Sequence, residues 1–145
     1  MARVSTYLYL PRSTEPAFLF YKSVFGGEFN GPMQRFADVP AAPGQPPMAE
    51  DDKALVMHVA LAILAGHVLL GTDARESMVC KVTAGDNMHI NLEPDSRAET
   101  NRLFAALAAG GKIDMPLQAM FWGGYFGWLA DAFGVCWMSD CAGKS

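Results

Sequence analysis

Residues 3–10 alternate Val4, Thr6, Leu8 and Leu10 against Ser5, Tyr7 and Tyr9. That period of two predicts a half-buried strand, which Pro11 ends. The period then changes. In "STEPAFLFYKSVFGG" a Ser13 or Thr14 cap and Pro16 in the first turn precede apolar Phe18, Leu19, Tyr21, Val24 and Phe25, and Gly26 and Gly27 stop the run. This spacing predicts an amphipathic helix of about three turns. Residues 29–37 read as a second strand. In residues 38–53, Pro40, Pro43, Gly44, Pro46 and Pro47 exclude regular structure, which leaves a connector or a lid able to cover a pocket. "ALVMHVALAIL" and "HVLLGTDA" then read as a hairpin turning at Ala65 and Gly66.

The pattern restarts near residue 87. Met88, Ile90 and Leu92 alternate with Asn87, His89, Asn91 and Glu93 up to Pro94, and "DSRAETNRLFAALAAGG" follows with an Asp95 or Ser96 cap. Glu99 stands at a capping-box position, and Gly110 and Gly111 mark the helix end. Strand-like runs around Ile113, over 125–130 and over 135–139 close the chain. At an offset of 84 residues Leu8 falls on Leu92, Glu15 on Glu99, Leu19 and Phe20 on Leu103 and Phe104, and Gly26 and Gly27 on Gly110 and Gly111. Caps, strand parity and glycine stops coincide, so the chain reads as two β-α-β-β-β modules, residues 1–78 and 86–140, within one domain spanning 1–145.

Composition narrows the function classes. The chain has 145 residues, 51% hydrophobic and 18% charged, enough apolar surface for a packed core. Its net charge is -4 and its Lys and Arg residues are scattered, which argues against nucleic acid as a partner. Three cysteines, Cys80, Cys136 and Cys141, show no C-x-x-C spacing and suggest neither a disulfide framework nor a cysteine zinc site. Pro11 and Arg12 fall where a signal peptide needs an apolar core, and Asp114, Pro116, Gln118, Gly123, Gly124 and Asp131 break the apolar C-terminal stretch too often for a membrane helix. A cytoplasmic location and no membrane partner are the expectation.

"FYKSVFGGEF", "VMHVAL" with "GHVLLGTDA", and above all "MPLQAMFWGGYFGWLADAFGVCWM" resemble the PhnB-like branch of the vicinal oxygen chelate superfamily, which includes glyoxalases, bleomycin-resistance proteins and extradiol dioxygenases. The resemblance covers nearly the whole chain. It implies an α+β fold whose two modules curl into an incomplete barrel around a cavity with the helices outside, and it implies a homodimer. Relatives in this branch often carry a demethylubiquinone methyltransferase label. The fourteen glycines include no G-x-G pair, so the glycine-rich loop of a classical adenosylmethionine site is absent.

In metal-dependent members of that superfamily two His and two Glu from the first and last strands of each module aim at the cavity. The face opposite the helix offers Ser5, Tyr7 and Tyr9 in the first module and His89, Asn91 and Glu93 in the second, while the closing strands carry no His or Glu before Asp73 and Asp140. The four-ligand pattern is not intact, and no metal is the expectation. A divalent Zn, Ni or Fe ion would have to use His58, His89 and Glu93 with water.

His58 is the candidate catalytic residue. It alternates with Val59, Leu61 and Ile63, which should pack under a helix, and imidazole is the side chain whose ordinary pKa lies nearest neutrality. A hydrogen-bonded structural histidine is the simpler alternative, and His67, at a turn, should be solvated. The candidate ligand-lining set is Tyr7, Tyr9, His89, Asn91, Trp122 and Tyr125, although alternation lets either Tyr125 and Gly127 or Phe126 and Trp128 face a cavity, not both. Cys136 reads as a small core residue rather than a nucleophile.

Three functions fit this sequence. The first is a glyoxalase-like enzyme acting on a small oxygenated organic substrate. The second is a metal-free protein that binds and sequesters a small molecule, as bleomycin-resistance proteins do. The third is a structural dimer without activity.

Overall fold

The structure, a computed structural model, describes residues 1–40, 43–44, 47–75 and 81–142. Cys80 and parts of the expected 38–53 loop, residues 41–42 and 45–46, lie outside the described residues. The chain divides into two compact units, Met1–Val82 and Thr83–Ser145.

In the first unit, strand β1 (Thr6–Leu10) leads into helix α1 (Thr14–Phe25), and β2 (Gln34–Arg35), the short helix α2 (Glu50–Lys53), β3 (Val56–Ala62) and β4 (Val68–Asp73) follow. The sheet order is β1-β4-β3-β2, with β1 and β4 parallel and the other pairs antiparallel. Helix α1 buries Ala17, Phe18, Tyr21 and Val24, the apolar stripe expected at three- and four-residue spacing. The stripe lies on the sheet face that carries Leu10, Val59, Leu61 and Leu69, all buried. The C-terminus of α1 is closed by Gly26 at φ 77°, whose N–H donates to the Lys22 carbonyl at 2.8 Å.

The N-terminus of α1 departs from expectation. Ser13 occupies the cap position but makes no side-chain capping bond. Instead the carboxylate of Asp73, only 3% exposed, accepts the Thr14 N–H at 2.9 Å and the Val56 N–H at 2.8 Å. An acid at the end of β4 therefore caps the helix and pins the start of β3. Arg35 on β2 forms a two-pronged ion pair with Glu15 on α1, at 3.0 and 2.7 Å, which holds the Glu15 carboxyl below its ordinary value. The expected second strand over 29–37 is shorter than its pattern. Phe29 makes one isolated bridge to Leu61, β2 spans two residues, and a 3-10 turn, Phe36–Asp38, ends it.

The second unit repeats the topology with β5 (Ile90–Leu92), α3 (Arg97–Ala108), β6 (Lys112–Ala119), β7 (Tyr125–Ala130) and β8 (Cys136–Cys141) in the sheet order β5-β8-β7-β6. Ser96 caps α3 by accepting the Glu99 N–H at 3.1 Å, while the Glu99 side chain pairs with Arg102 instead of returning to the cap. Thr100, Leu103, Phe104 and Leu107 are the buried positions of α3. They face the side of the sheet that carries Leu129, Trp137, Ser139 and Cys141, all buried. The repeat seen in the sequence extends into strand pairing: Gln34 pairs with His58 in the first unit, and Gln118 pairs with Phe126 in the second.

The fold is thus α+β, built of two βαβββ units. Strand β6 is longer than expected because Pro116 does not end it. Proline is tolerated on an edge strand, and the pairing shifts register on both sides of Met115. Gly127 makes that irregular pairing possible. A Cβ at this position would stand 2.7 Å from the Met115 carbonyl oxygen and 2.9 Å from the Leu117 nitrogen. Gly127→Ala is expected to cost about 2 kcal/mol by urea unfolding, because two backbones cannot separate as a side chain can. A loss under about 0.5 kcal/mol would show that β6 is free to move away.

Candidate functional site

Each sheet has one helix-free face, and strand register decides which side chains reach it. In the first unit β1 contributes Tyr7 and Tyr9, β4 contributes Leu70 and Thr72, and β3 contributes His58 and Ala60. Tyr7 pairs with Leu70 and Leu70 with Ala60, while Tyr9 pairs with Thr72 and His58 with Gln34. The Tyr7 and His58 rings lie 6.4 Å apart at 51°. Tyr7 is 52% exposed, an unusual degree for a large ring in the middle of a strand. His58 is half-buried, and among the described residues its side chain makes no hydrogen bond or ion pair. Among the described residues no side chain or backbone group supplies the structural hydrogen bond that the simpler alternative would use. His67 behaves differently from expectation: its Nε2 is hydrogen-bonded to Thr6 Oγ1 at 2.8 Å, tying the loop before β4 to β1.

In the second unit the helix-free face carries Met138 and Asp140 of β8, Phe126 and Trp128 of β7, and Asn91 of β5. Asn91 pairs with Met138, Met138 with Trp128, and Asp140 with Phe126. Glu93 follows Leu92, the partner of Ser139 and the last residue of β5, and so comes next along the chain after that pair, as Asp140 does on β8. His89 is half-buried, whereas Asn91 and Glu93 are exposed. At the β6–β7 turn, Phe121 and Trp122 pack edge to face at 5.0 Å, and Trp122 continues to Phe126 at 6.4 Å and Phe126 to Trp128 at 5.6 Å.

Tyr125 was expected among the lining residues, but its side chain lies on the helix-bearing face. Its hydroxyl donates to Asn101 Oδ1 at 2.6 Å, and Arg97 stacks over the ring at 4.8 Å. The alternation rule is therefore decided in favour of Phe126 and Trp128. Of the sequence-predicted set, Tyr7, Tyr9 and His58 share one face, and Asn91 and Trp122 belong to the other unit with His89 and Glu93. Phe126 and Trp128 were the alternative set that alternation left open, whereas Gln34, Thr72 and Asp140 were missed as face residues. The period-two parity of β4 and β8, counted from an assumed register, was the signal that could have found the last two.

The candidate metal donors belong to separate units, His58 to the first and His89 and Glu93 to the second. Among the described residues no three His, Cys, Asp or Glu side chains form a group that could hold a metal ion. In the first unit His58 has Tyr7, Thr72 and Gln34 around it. In the second, His89 and Glu93 flank β5, four residues apart along the chain. Cys136, beside the His89 end of this sheet, is buried and donates to the Gly85 carbonyl at 3.6 Å. Burial, aided by the charges of Asp114, Asp86 and Asp131, raises its thiol pKa, the opposite of what a nucleophile needs. No helix among the described residues is long and apolar enough to cross a membrane.

Comparison with known proteins agrees with this architecture. The family model described as 3-demethylubiquinone-9 3-methyltransferase matches residues 2–138. Protein PA1353 from Pseudomonas aeruginosa is 32% identical over the full length of both chains, with a TM-score of 0.82. The PhnB protein from Bacillus cereus is 24% identical over 97% of this chain and 99% of its own, at a TM-score of 0.72. A glyoxylase/bleomycin resistance protein/dioxygenase domain from Frankia sp. EAN1pec shares the fold at 12% identity and a TM-score of 0.64, covering 97% of this chain and 92% of its own. With its paired βαβββ units and a family match across nearly its whole length, the chain belongs to the 3-demethylubiquinone-9 3-methyltransferase family, and it shares the fold of the glyoxylase/bleomycin resistance protein/dioxygenase domain.

Proposed function

We propose that this chain is a glyoxalase-like protein that acts on a small oxygenated organic substrate at the helix-free face of its first unit, without a resident metal. The observation that carries this reading is His58: an imidazole in ring contact with Tyr7 that no hydrogen bond among the described residues occupies. Such a ring can take a proton from carbon next to a carbonyl and return it, the general-base and general-acid work that imidazole performs near neutrality. Tyr7, on the same face, is the phenol available to hold a substrate oxygen. The methyl transfer in the family's description finds no support in the strand-to-helix connections. Pro11, Arg12 and Ser13 join β1 to α1, and Glu93 to Ser96 join β5 to α3, with no glycine in either to admit a nucleotide-like cofactor.

The test is hydrogen–deuterium exchange at the carbon next to the carbonyl in a panel of small 2-oxygenated aldehydes and ketones, followed by proton NMR in deuterated buffer. His58→Ala is expected to slow exchange of the responding compound about a hundredfold with the far-ultraviolet circular dichroism unchanged. Equal rates in both proteins would remove His58 from the mechanism. A second reading, ligand sequestration, is favoured by the exposed Phe121 and Trp122, and it predicts saturable binding from this panel without exchange.

A further inference from the structure

We infer that the helix-free face of the second unit binds an organic cation, with a substituted ammonium group seated against Trp122 and Phe126 and countered by Asp140 and Glu93. This goes beyond the His58 reading and uses residues of the second unit alone. Four observations carry it.

The first is the state of Asp140. It is half-buried, yet among the described residues it makes no hydrogen bond or ion pair. The two other acids that strand ends withdraw from solvent are fully engaged, Asp73 by two backbone N–H groups and Asp131 by three donors. A carboxylate partly removed from water without a donor is placed to receive one from outside.

The second is the disposition of cations. Arg97 lies over Tyr125 on the opposite face, Arg102 is bound to Glu99, and Lys112 pairs with Asp114 at 3.6 Å. None of these is directed to Asp140 or to Glu93, which is exposed and equally unpaired among the described residues.

The third is convergence of acid and ring. A Cβ at Gly124 would stand 2.5 Å from Trp122 Nε1 and 3.3 Å from Asp140 Oδ1, so both groups border the space that this glycine leaves open. Phe126 pairs with Asp140 and its ring is 6.4 Å from that of Trp122. Aromatic faces beside a carboxylate attract a weakly hydrated ammonium through the ring quadrupole as well as by charge. A hard divalent ion, by contrast, needs six or more oxygens.

The fourth is the contrast between units. In the first unit Tyr9 pairs with Thr72 and His58 with Gln34; in the second Asp140 pairs with Phe126 and Phe126 with Gln118, while Glu93, one residue beyond β5, corresponds to Tyr9 at the 84-residue offset. The carboxylate pair replaces a phenol and a hydroxyl at positions that the shared topology makes equivalent. Acid is therefore not a structural requirement of these positions.

The test titrates the full chain with benzyltrimethylammonium by calorimetry and tryptophan fluorescence, beside its uncharged carbon isostere, neopentylbenzene. The cation is expected to bind saturably and about tenfold more tightly than the isostere, and to weaken as salt rises. Asp140→Asn should weaken it about tenfold and Glu93→Gln about threefold, whereas His58→Ala should leave it unchanged, so that this inference and the His58 reading fail separately. Absence of cation binding, equal binding of neopentylbenzene, or no effect of either carboxylate variant would overturn it. If Asp140→Asn melts at a lower temperature, Glu93→Gln, altered at an exposed side chain, decides the outcome.

Discussion

Asp73→Ala is expected to destabilise the first unit by about 3–5 kcal/mol, read as a lower urea midpoint with an unchanged slope. The carboxylate is almost fully buried and accepts the Thr14 and Val56 N–H groups. Alanine would leave both donors without an acceptor in a site that water does not readily enter, and each such donor costs about 1–3 kcal/mol. The loss also removes a negative charge from the N-terminus of α1, where the helix dipole favours one. Asp73→Asn keeps one oxygen but turns an amide N–H toward the remaining donor, so it should fall between wild type and alanine. Because native domains are stable by only about 5–15 kcal/mol, the alanine variant should sit near its unfolding threshold. A change below about 1 kcal/mol would show that Ser13 can take over the cap.

Much of the fold could be read from hydrophobic period and punctuation. The alternation of Val4 to Leu10, the stripe from Phe18 to Val24 and the glycines after each helix are local signals, and local physics decides them. The 84-residue offset gave the two-unit organisation because a repeated unit must solve the same packing problem twice. What failed was set by distant partners. Ser13 has the right chemistry for a cap, but Asp73, far along the chain, arrives with a full charge and displaces it. Residues 29–37 have strand-like composition, yet a strand exists only where an adjacent strand offers hydrogen bonds, and β3 offers them to Gln34 and Arg35 with a register shift between the two.

The candidate site was legible to the extent that parity is legible. His58, Tyr7 and Tyr9 share a face as alternation predicts, because β1 and β3 are both flanked by β4 and the register keeps their sides in step. Tyr125 failed because parity was counted without knowing which side α3 would cover. Asn101 and Arg97 draw the phenol to the helix, and one rotation of the strand exchanges every candidate on β7.

Asp131→Ala should destabilise the second unit by about 3–5 kcal/mol, and a double-mutant cycle with Trp137→Phe locates the cause. Asp131 Oδ1 accepts the Phe133 and Val135 N–H groups at 2.8 and 3.0 Å, and Oδ2 accepts the indole Nε1–H of Trp137 at 2.8 Å. The turn itself is conventional: the Gly134 N–H donates to the Asp131 carbonyl at 3.1 Å, with aspartate first and glycine fourth. What is particular is that the same carboxylate reaches the core, where Trp137 is 1% exposed. Trp137→Phe keeps a buried ring but strands Oδ2, at a cost of about 2–3 kcal/mol. The double variant should cost less than the two single losses together, by about 1–3 kcal/mol, because the second change removes the group that the first left unpaired. Asp131→Asn sharpens the assignment. With its oxygen kept by the two turn N–H groups, its amide would point donor to donor at the indole, so asparagine should recover little of the alanine loss in the tryptophan background and more in the phenylalanine background. Strict additivity would mean that Asp131 stabilises the hairpin through the turn alone, and that Trp137 is held by packing rather than by its hydrogen bond.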